Sequence, residues 1–381
     1  MESGAGTTAR DVLARLWRAG VAAVEGRAAV ARALDAAPVP RPDLVLSVGK
    51  AAVPMARAAL DRFGAVPALA VTKHGHGDDD GHRDGAPALE VIEAGHPVPD
   101  AESLRAGAAL RARVAACGPE AHLLLLVSGG ASALAEDLEP GVTLGYLAAE
   151  TKRLLASGAD IAAMNARRRQ LSRIKGGRLF EAFRGARVTV LAISDVAGDD
   201  IAVIGSGIGL VPDTARVAQE TRIVASNAVA RAAIAAEAEA AGLPLRENAE
   251  TLYRDVGAAA AMIGARLRAG PPGLHLWGGE PTVVLPERPG RGGRNQALAL
   301  ALAREIAGRA GVTALVAGTD GTDGPTDAAG AFADGATWAP GAAEALARAD
   351  SGPWLADRGA LFAPGPTGTN VMDLALARVE A

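Results

Sequence analysis

Short apolar runs alternate with Ala-rich stretches of helical length along most of the 381 residues. That alternation constrains the fold more than any other feature. Strands buried on both faces of a parallel sheet read as unbroken apolar runs, and the segments between them must cross over, usually as helices. The predicted strands are Leu44–Val48, Leu89–Ile92, His122–Val127, Arg187–Ile193, Thr221–Val224, Leu274–Trp277, Thr282–Leu285 and Thr313–Ala317. Helices are expected over Ala51–Arg62, Ala101–Ala116, Leu144–Ala156, Asn227–Ala241, Val256–Ala269 and Arg294–Arg309, after an amphipathic N-terminal helix. The pattern predicts an α/β fold with a largely parallel sheet. Length adds a prior of about two domains, at roughly 150 residues each. Weak periodicity in the first half of Gly242–Asp255, and the later turn Gly270-Pro271-Pro272-Gly273, place the change there. The expected domains are therefore 1–250 and 251–381. No repeat of fixed period is visible, which excludes solenoids and propellers.

Charge and composition exclude several partners. Acidic residues number 43 against 39 basic ones, for a formal net charge of −4, which argues against a bulk nucleic-acid binder. The most apolar run, Leu123–Val127, is far too short to cross a membrane. The N-terminus lacks the charged start, apolar stretch and cleavage site of a signal peptide. Cys117 is the only cysteine, so no internal disulfide forms, and a reducing, cytoplasmic setting is expected. Cys117 itself reads as a buried or incidental thiol. The lysines are Lys50, Lys73, Lys152 and Lys175 alone, every other basic residue being arginine. Each lysine is therefore worth attention.

In open α/β sheets ligands bind beyond the carboxyl ends of the strands, so strand-to-helix junctions are where chemistry is expected. At the first, Gly49 and Lys50 follow an apolar strand and precede a helix. They make either an anion site or a turn with a surface lysine. Ala51 stands where a phosphate loop of the Walker type needs Ser or Thr, so that motif is excluded. At the second, Ser128-Gly129-Gly130-Ala131-Ser132 offers either a nest of backbone N–H groups for phosphate or a tight turn. At the third, Asp195, Asp199 and Asp200 bring carboxylates that suit Mg²⁺, a substrate hydroxyl, or ordinary Asx turns. Gly205-Ser206-Gly207-Ile208-Gly209 imitates a dinucleotide fingerprint but has Leu210 where the third glycine belongs.

The basic segment 165–179 carries Arg167, Arg168, Arg169, Arg173, Lys175 and Arg178. Part of it is expected to be an amphipathic helix with a solvated basic face, or, where that face points at the glycine loops, a site for phosphate or carboxylate. His74, His76 and His82 near Asp78–Asp80 read as an exposed loop rather than a metal cluster. Further on, Gly290-Arg291-Gly292-Gly293-Arg294-Asn295 is a Gly-rich loop ending at a helix start, suited to a carboxylate or phosphoryl group. Asp320, Asp323 and Asp327 then lie within eight residues after a strand. They suit a hard cation, although the spacing is not an EF-hand.

The ordered set SVGKAA, VTKHGH, EAGHPVPD, SGGASAL, LLASGADI, QLSRIKGGRL, ISDVAGDD, GGEPTV, GRGGRNQ, GTDGTDGPTDAAGA and PTGTNVMDL resembles the glycerate 2-kinase family, whose C-terminal domain is called MOFRL. Departures are Ala131 for a usual glycine, Gln170 for a common histidine, and Met372 at an often polar position. The resemblance implies two α/β domains, the first a Rossmann-like sheet with helices on both faces, and an active site in the interdomain cleft. It implies ATP- and Mg²⁺-dependent phosphorylation of D-glycerate at the 2-hydroxyl. By matching position it makes Lys50 and Arg294 the catalytic cations, and Asp195 and Asp320 the carboxylates, one on Mg²⁺ and the other on the hydroxyl. Gly49, Ser128, Gly129, Gly130, Ser132, Gly292, Gly293 and Asn295 would bind phosphate or substrate. The rival readings are an NAD(P)H-dependent hydroxypyruvate reductase and a non-catalytic sugar-acid or phosphosugar sensor. Self-association is left open.

Overall fold

The computed structural model describes residues 8–77, 89–156, 161–213 and 217–380. The described chain opens on two helices, α1 (Ala9–Val24) and α2 (Gly26–Ala36). A first sheet follows, of β1 (Leu44–Val48), β2 (Ala68–Lys73), β3 (Glu90–Ala94), β4 (His122–Val127), β5 (Arg187–Ile193) and β6 (Ala218–Ala225). Its helices are α3 (Ala52–Phe63), α4 (Ala101–Ala115), the single turn α5 (Ala131–Leu134), α6 (Leu144–Ala156) and α7 (Ile161–Leu171). All its strands run parallel, in the order β3-β2-β1-β4-β5-β6. The order reverses at β1, so right-handed crossovers wind the helices onto both faces. One face packs Leu46, Val48 and Leu125 with Leu110 of α4, and the other packs Ala70 of β2 under Val53 and Ala56 of α3. Every residue of β1 and β4 is buried, which is why both were legible as apolar runs.

The second sheet is mixed. Its strands are β7 (Leu245–Glu250), β8 (Gly273–Gly279), β9 (Val312–Gly318), β10 (Gly330–Asp334), β11 (Leu361–Phe362) and β12 (Asp373–Val379), in the order β11-β10-β9-β12-β8-β7. Only β7 and β8 pair in parallel; β12 lies antiparallel between β8 and β9. Its helices are α8 (Asn227–Ala240), α9 (Val256–Ala269), α10 (Arg294–Glu305), α11 (Ala342–Ala347) and α12 (Ser351–Ala356). Ala314, Val316, Ala375 and Ala377 pack against α9 and α10. The alternate residues point to the opposite face, where α1 and α8 lie together on the sheet.

The chain forms two compact units, and they do not follow a single cut in the sequence. Glu25–Ser226 with Gly368–Asn370 makes one, around the parallel sheet; α1, Asn227–Thr367 and the strand segment from Val371 make the other. Helix α1 thus joins the second sheet, where Trp17 meets Phe362 edge-on at 5.0 Å. The segment 227–250, expected with the first domain, also belongs to the second sheet's unit.

The expected strand Thr282–Leu285 is not formed. Thr282 makes one isolated bridge to Asp255, and Val284 and Leu285 are exposed. Pro281, Pro286 and Pro289 remove ladder donors around this short run, and no strand pairs with it. No helix among the described residues is long and apolar enough to cross a membrane.

Candidate active site

The junctions after β1 and β4 lie at the point where strand order reverses, and they are bonded into one another. Ser128 N–H donates to Val48 O at 2.9 Å, and Lys50 N–H donates to Gly129 O at 2.9 Å. Ala51 N–H donates to Ser128 Oγ at 3.0 Å. Gly49 has φ +131°, and a Cβ there would collide with Ser128. Glycine is required on both counts. Ser128, expected to cradle phosphate, is buried and spends its hydroxyl on holding the two loops together. Ser128→Ala is therefore expected to cost about 1–3 kcal/mol, because the Ala51 amide loses its acceptor. Urea denaturation would measure it, and an unchanged midpoint would contradict the assignment.

Four predicted residues converge on this crossing. A Cβ at Gly129 would run into the Asp195 carboxylate and lie 2.9 Å from Asn370 Nδ2. A Cβ at Gly130 would lie 3.2 Å from both His96 Nε2 and Lys50 Cγ. Lys50, Gly129, Gly130 and Asp195 thus share one surface with His96 and Asn370, two residues the sequence reading did not single out. Ser132 stands one turn away, its hydroxyl 2.8 Å from that of Ser206, which donates to Asn165 Oδ1 at 3.0 Å. Gly205-Ser206-Gly207, the imperfect fingerprint, is buried here as a packing turn.

Within the basic segment the arginines stay partly exposed, but Lys175 departs from the expected solvated face: it is buried and ion-paired with Glu136, which is also buried. Burial pulls the Lys175 ammonium below its ordinary range, and the adjacent carboxylate opposes that shift. Ile174 and Leu179 are fully buried on either side. Of the loop histidines, His74 pairs with Asp100 at 2.8 Å, and His82 with Asp78–Asp80 lies outside the described residues.

In the other unit, Arg294 begins α10 and its fork is held twice. Nε donates to Asp373 Oδ2 and Nη1 to Glu280 Oε1, each at 2.6 Å. Burial works against the guanidinium charge, yet Asp373 and Glu280 raise its pKa above the usual value. Asn295 Nδ2 donates to the other Asp373 oxygen at 2.9 Å. Burial raises the Asp373 carboxyl, with Arg294 opposing. The first amides of α10 have their own acceptor: Asn295 and Gln296 N–H donate to Asp323 at 3.1 and 2.8 Å. Burial lifts Asp323 to about 7 against those two bonds. Gly293 lets that carboxylate approach, since a Cβ would collide with it, and Gly292 packs against Ser351. Asp320 follows β9 and accepts from Thr322 N and Oγ1 at 3.0 and 3.1 Å, an Asx turn. Of the three acidic residues in that loop, Asp323 serves as a helix cap.

Residues 12–240 match a model described as a domain of unknown function (DUF4147), and residues 273–373 match the MOFRL family. A glycerate 2-kinase of Pyrococcus horikoshii is 33% identical, over 88% of this chain and 87% of its own. The chain belongs to the glycerate 2-kinase family. The crystal structure of a glycerate kinase from Thermotoga maritima superposes on this family member with a TM-score of 0.85 at 32% identity, covering 97% of this chain and 99% of that one. An Agrobacterium vitis relative provisionally named hydroxypyruvate reductase is 37% identical over 87% of this chain and 97% of its own. The β1–β4 crossing falls within the DUF4147 match, apart from Asn370, and the Arg294–Asp373 cluster falls within the MOFRL match.

Proposed function

We propose that this chain transfers a phosphoryl group from ATP, with Mg²⁺, to the 2-hydroxyl of D-glycerate, giving 2-phosphoglycerate. One observation carries the reading: in a glycerate 2-kinase family member, Lys50 and Asp195 meet at glycines placed where strand order reverses. That location suits a phosphorylated ligand. The glycines suit it as well, because any side chain at Gly129 or Gly130 would fill the space beside Asp195 and Lys50. Single carboxylates at strand ends suit Mg²⁺, which takes one or two carboxylates and completes its shell with phosphate oxygens and water. When bound, ATP supplies the phosphoryl group and Mg²⁺ neutralises part of its charge.

The chain's own residues supply positioning and countercharge. Lys50 sets a compact ammonium against the oxygens that gain negative charge during transfer. Arg294, its plane fixed by Asp373 and Glu280, clamps the glycerate carboxylate. Asp195 and Asp320 divide the remaining work, one holding the metal and the other taking the proton of the 2-hydroxyl. The proposal includes a cytoplasmic location.

The hydroxypyruvate reductase reading lacks support in this chain, because its nearest approach to a dinucleotide fingerprint is buried as a turn. Incubation of the protein with D-glycerate and either MgATP or NAD⁺ separates the two. ADP release in the first arm and no NADH absorbance in the second is expected. NADH formation without ADP release would replace the kinase reading.

A further inference from the structure

A cavity of about 480 Å³ opens in the unit of the parallel sheet. Its walls come from the loop His96–Pro99 after β3, the loop at Gly130 and Ser132 after β4, and helix α6 at Leu144, Leu147 and Ala148. Its lining is of two kinds. Val98, Leu144 and Leu147 are apolar. Ser132, Lys152, Arg168 and Lys175 are polar or cationic. Lys175 is paired with the buried Glu136, and Lys152 and Arg168 bring two further cations to the lining, which suits an anion.

We propose that this cavity receives the nucleoside of the phosphoryl donor, with its apolar residues against the base and Ser132 and Arg168 towards the phosphates. The inference rests on the kinase reading. D-Glycerate is a small, wholly polar acid, and neither the volume nor the apolar wall suits it. A nucleotide joins a flat, weakly polar base to a polyanion, and cavities of this size suit such ligands. The lining includes Gly130, the residue beside Lys50, so phosphates held near Ser132 point towards the proposed transfer site.

The test uses Ala148→Trp and Arg168→Ala in the full chain. Ala148 is exposed although it lines the cavity, so a larger side chain fills the space without repacking the core. Fluorescent mant-ADP should bind about 10- to 100-fold more weakly to Ala148→Trp, the cost of overfilling a formed site. KM for D-glycerate should stay unchanged. Arg168→Ala should weaken ADP but leave adenosine binding as it was. A rise in KM for D-glycerate with unchanged mant-ADP binding would overturn the assignment and give the cavity to the acceptor. So would wild-type ADP affinity in a folded Ala148→Trp protein, and in that case ATP-dependent turnover would leave the kinase reading standing. Absence of both ADP binding and ATP turnover in the unmutated protein would overturn both.

Discussion

Lys50→Ala is expected to lower kcat by about 10²–10³-fold, the usual loss when one charge-stabilising donor leaves a transition state. The fold should be untouched. Lys50 is half-buried, and its backbone N–H bond to Gly129 O survives the substitution. Lys50→Arg should recover little, because a planar fork cannot take the place of a compact ammonium beside Gly130. Steady-state ADP release, paired with a thermal melt of each variant, reads the effect. Turnover near wild type with a normal melt would remove Lys50 from the mechanism.

The largest stability effect is expected at the opposite kind of lysine. Lys175→Met leaves the Glu136 carboxyl group buried without its partner, at a cost of about 3–5 kcal/mol. The double substitution Lys175→Met with Glu136→Leu removes both charges and should recover most of that loss. Equilibrium urea unfolding of the two variants decides it. Equal destabilisation by the single and the double variant would mean that packing, rather than the stranded charge, sets the cost.

The two lysines also show what a sequence can and cannot reveal. The placement of Lys50 was legible because it sits at a junction: an unbroken apolar strand, then glycine, then a helix. Lys175 was not, because its partner Glu136 stands 39 residues away and nothing local marks the pair. The parallel sheet was legible for a similar reason, since β1, β4 and β5 are almost wholly buried and read as continuous apolar runs. The second sheet was harder. Strand β12, Asp373–Val379, is central, but its Ala and Leu residues carry no β-branched signal before Val379. Strand β7 is a partly exposed edge of mostly polar residues. Thr282–Leu285 erred the other way, having strand composition but no partner to pair with.

The site divides in the same manner. Gly129, Gly130 and Asp195 were each visible at a strand end, whereas His96, Asn370 and Asp373 were hidden inside motifs that had been noticed as wholes. His96 and Asn370 reach the β1–β4 crossing from distant parts of the chain. Asp373 holds Arg294 from 79 residues away. Long-range carboxylate and amide partners of this kind leave no periodic trace in the sequence.

Phosphorus NMR of the product formed from D-glycerate and MgATP reads the proposed transfer to the 2-hydroxyl. The resonance of 2-phosphoglycerate is expected to grow together with ADP, and the resonance of 3-phosphoglycerate alone would overturn the proposal.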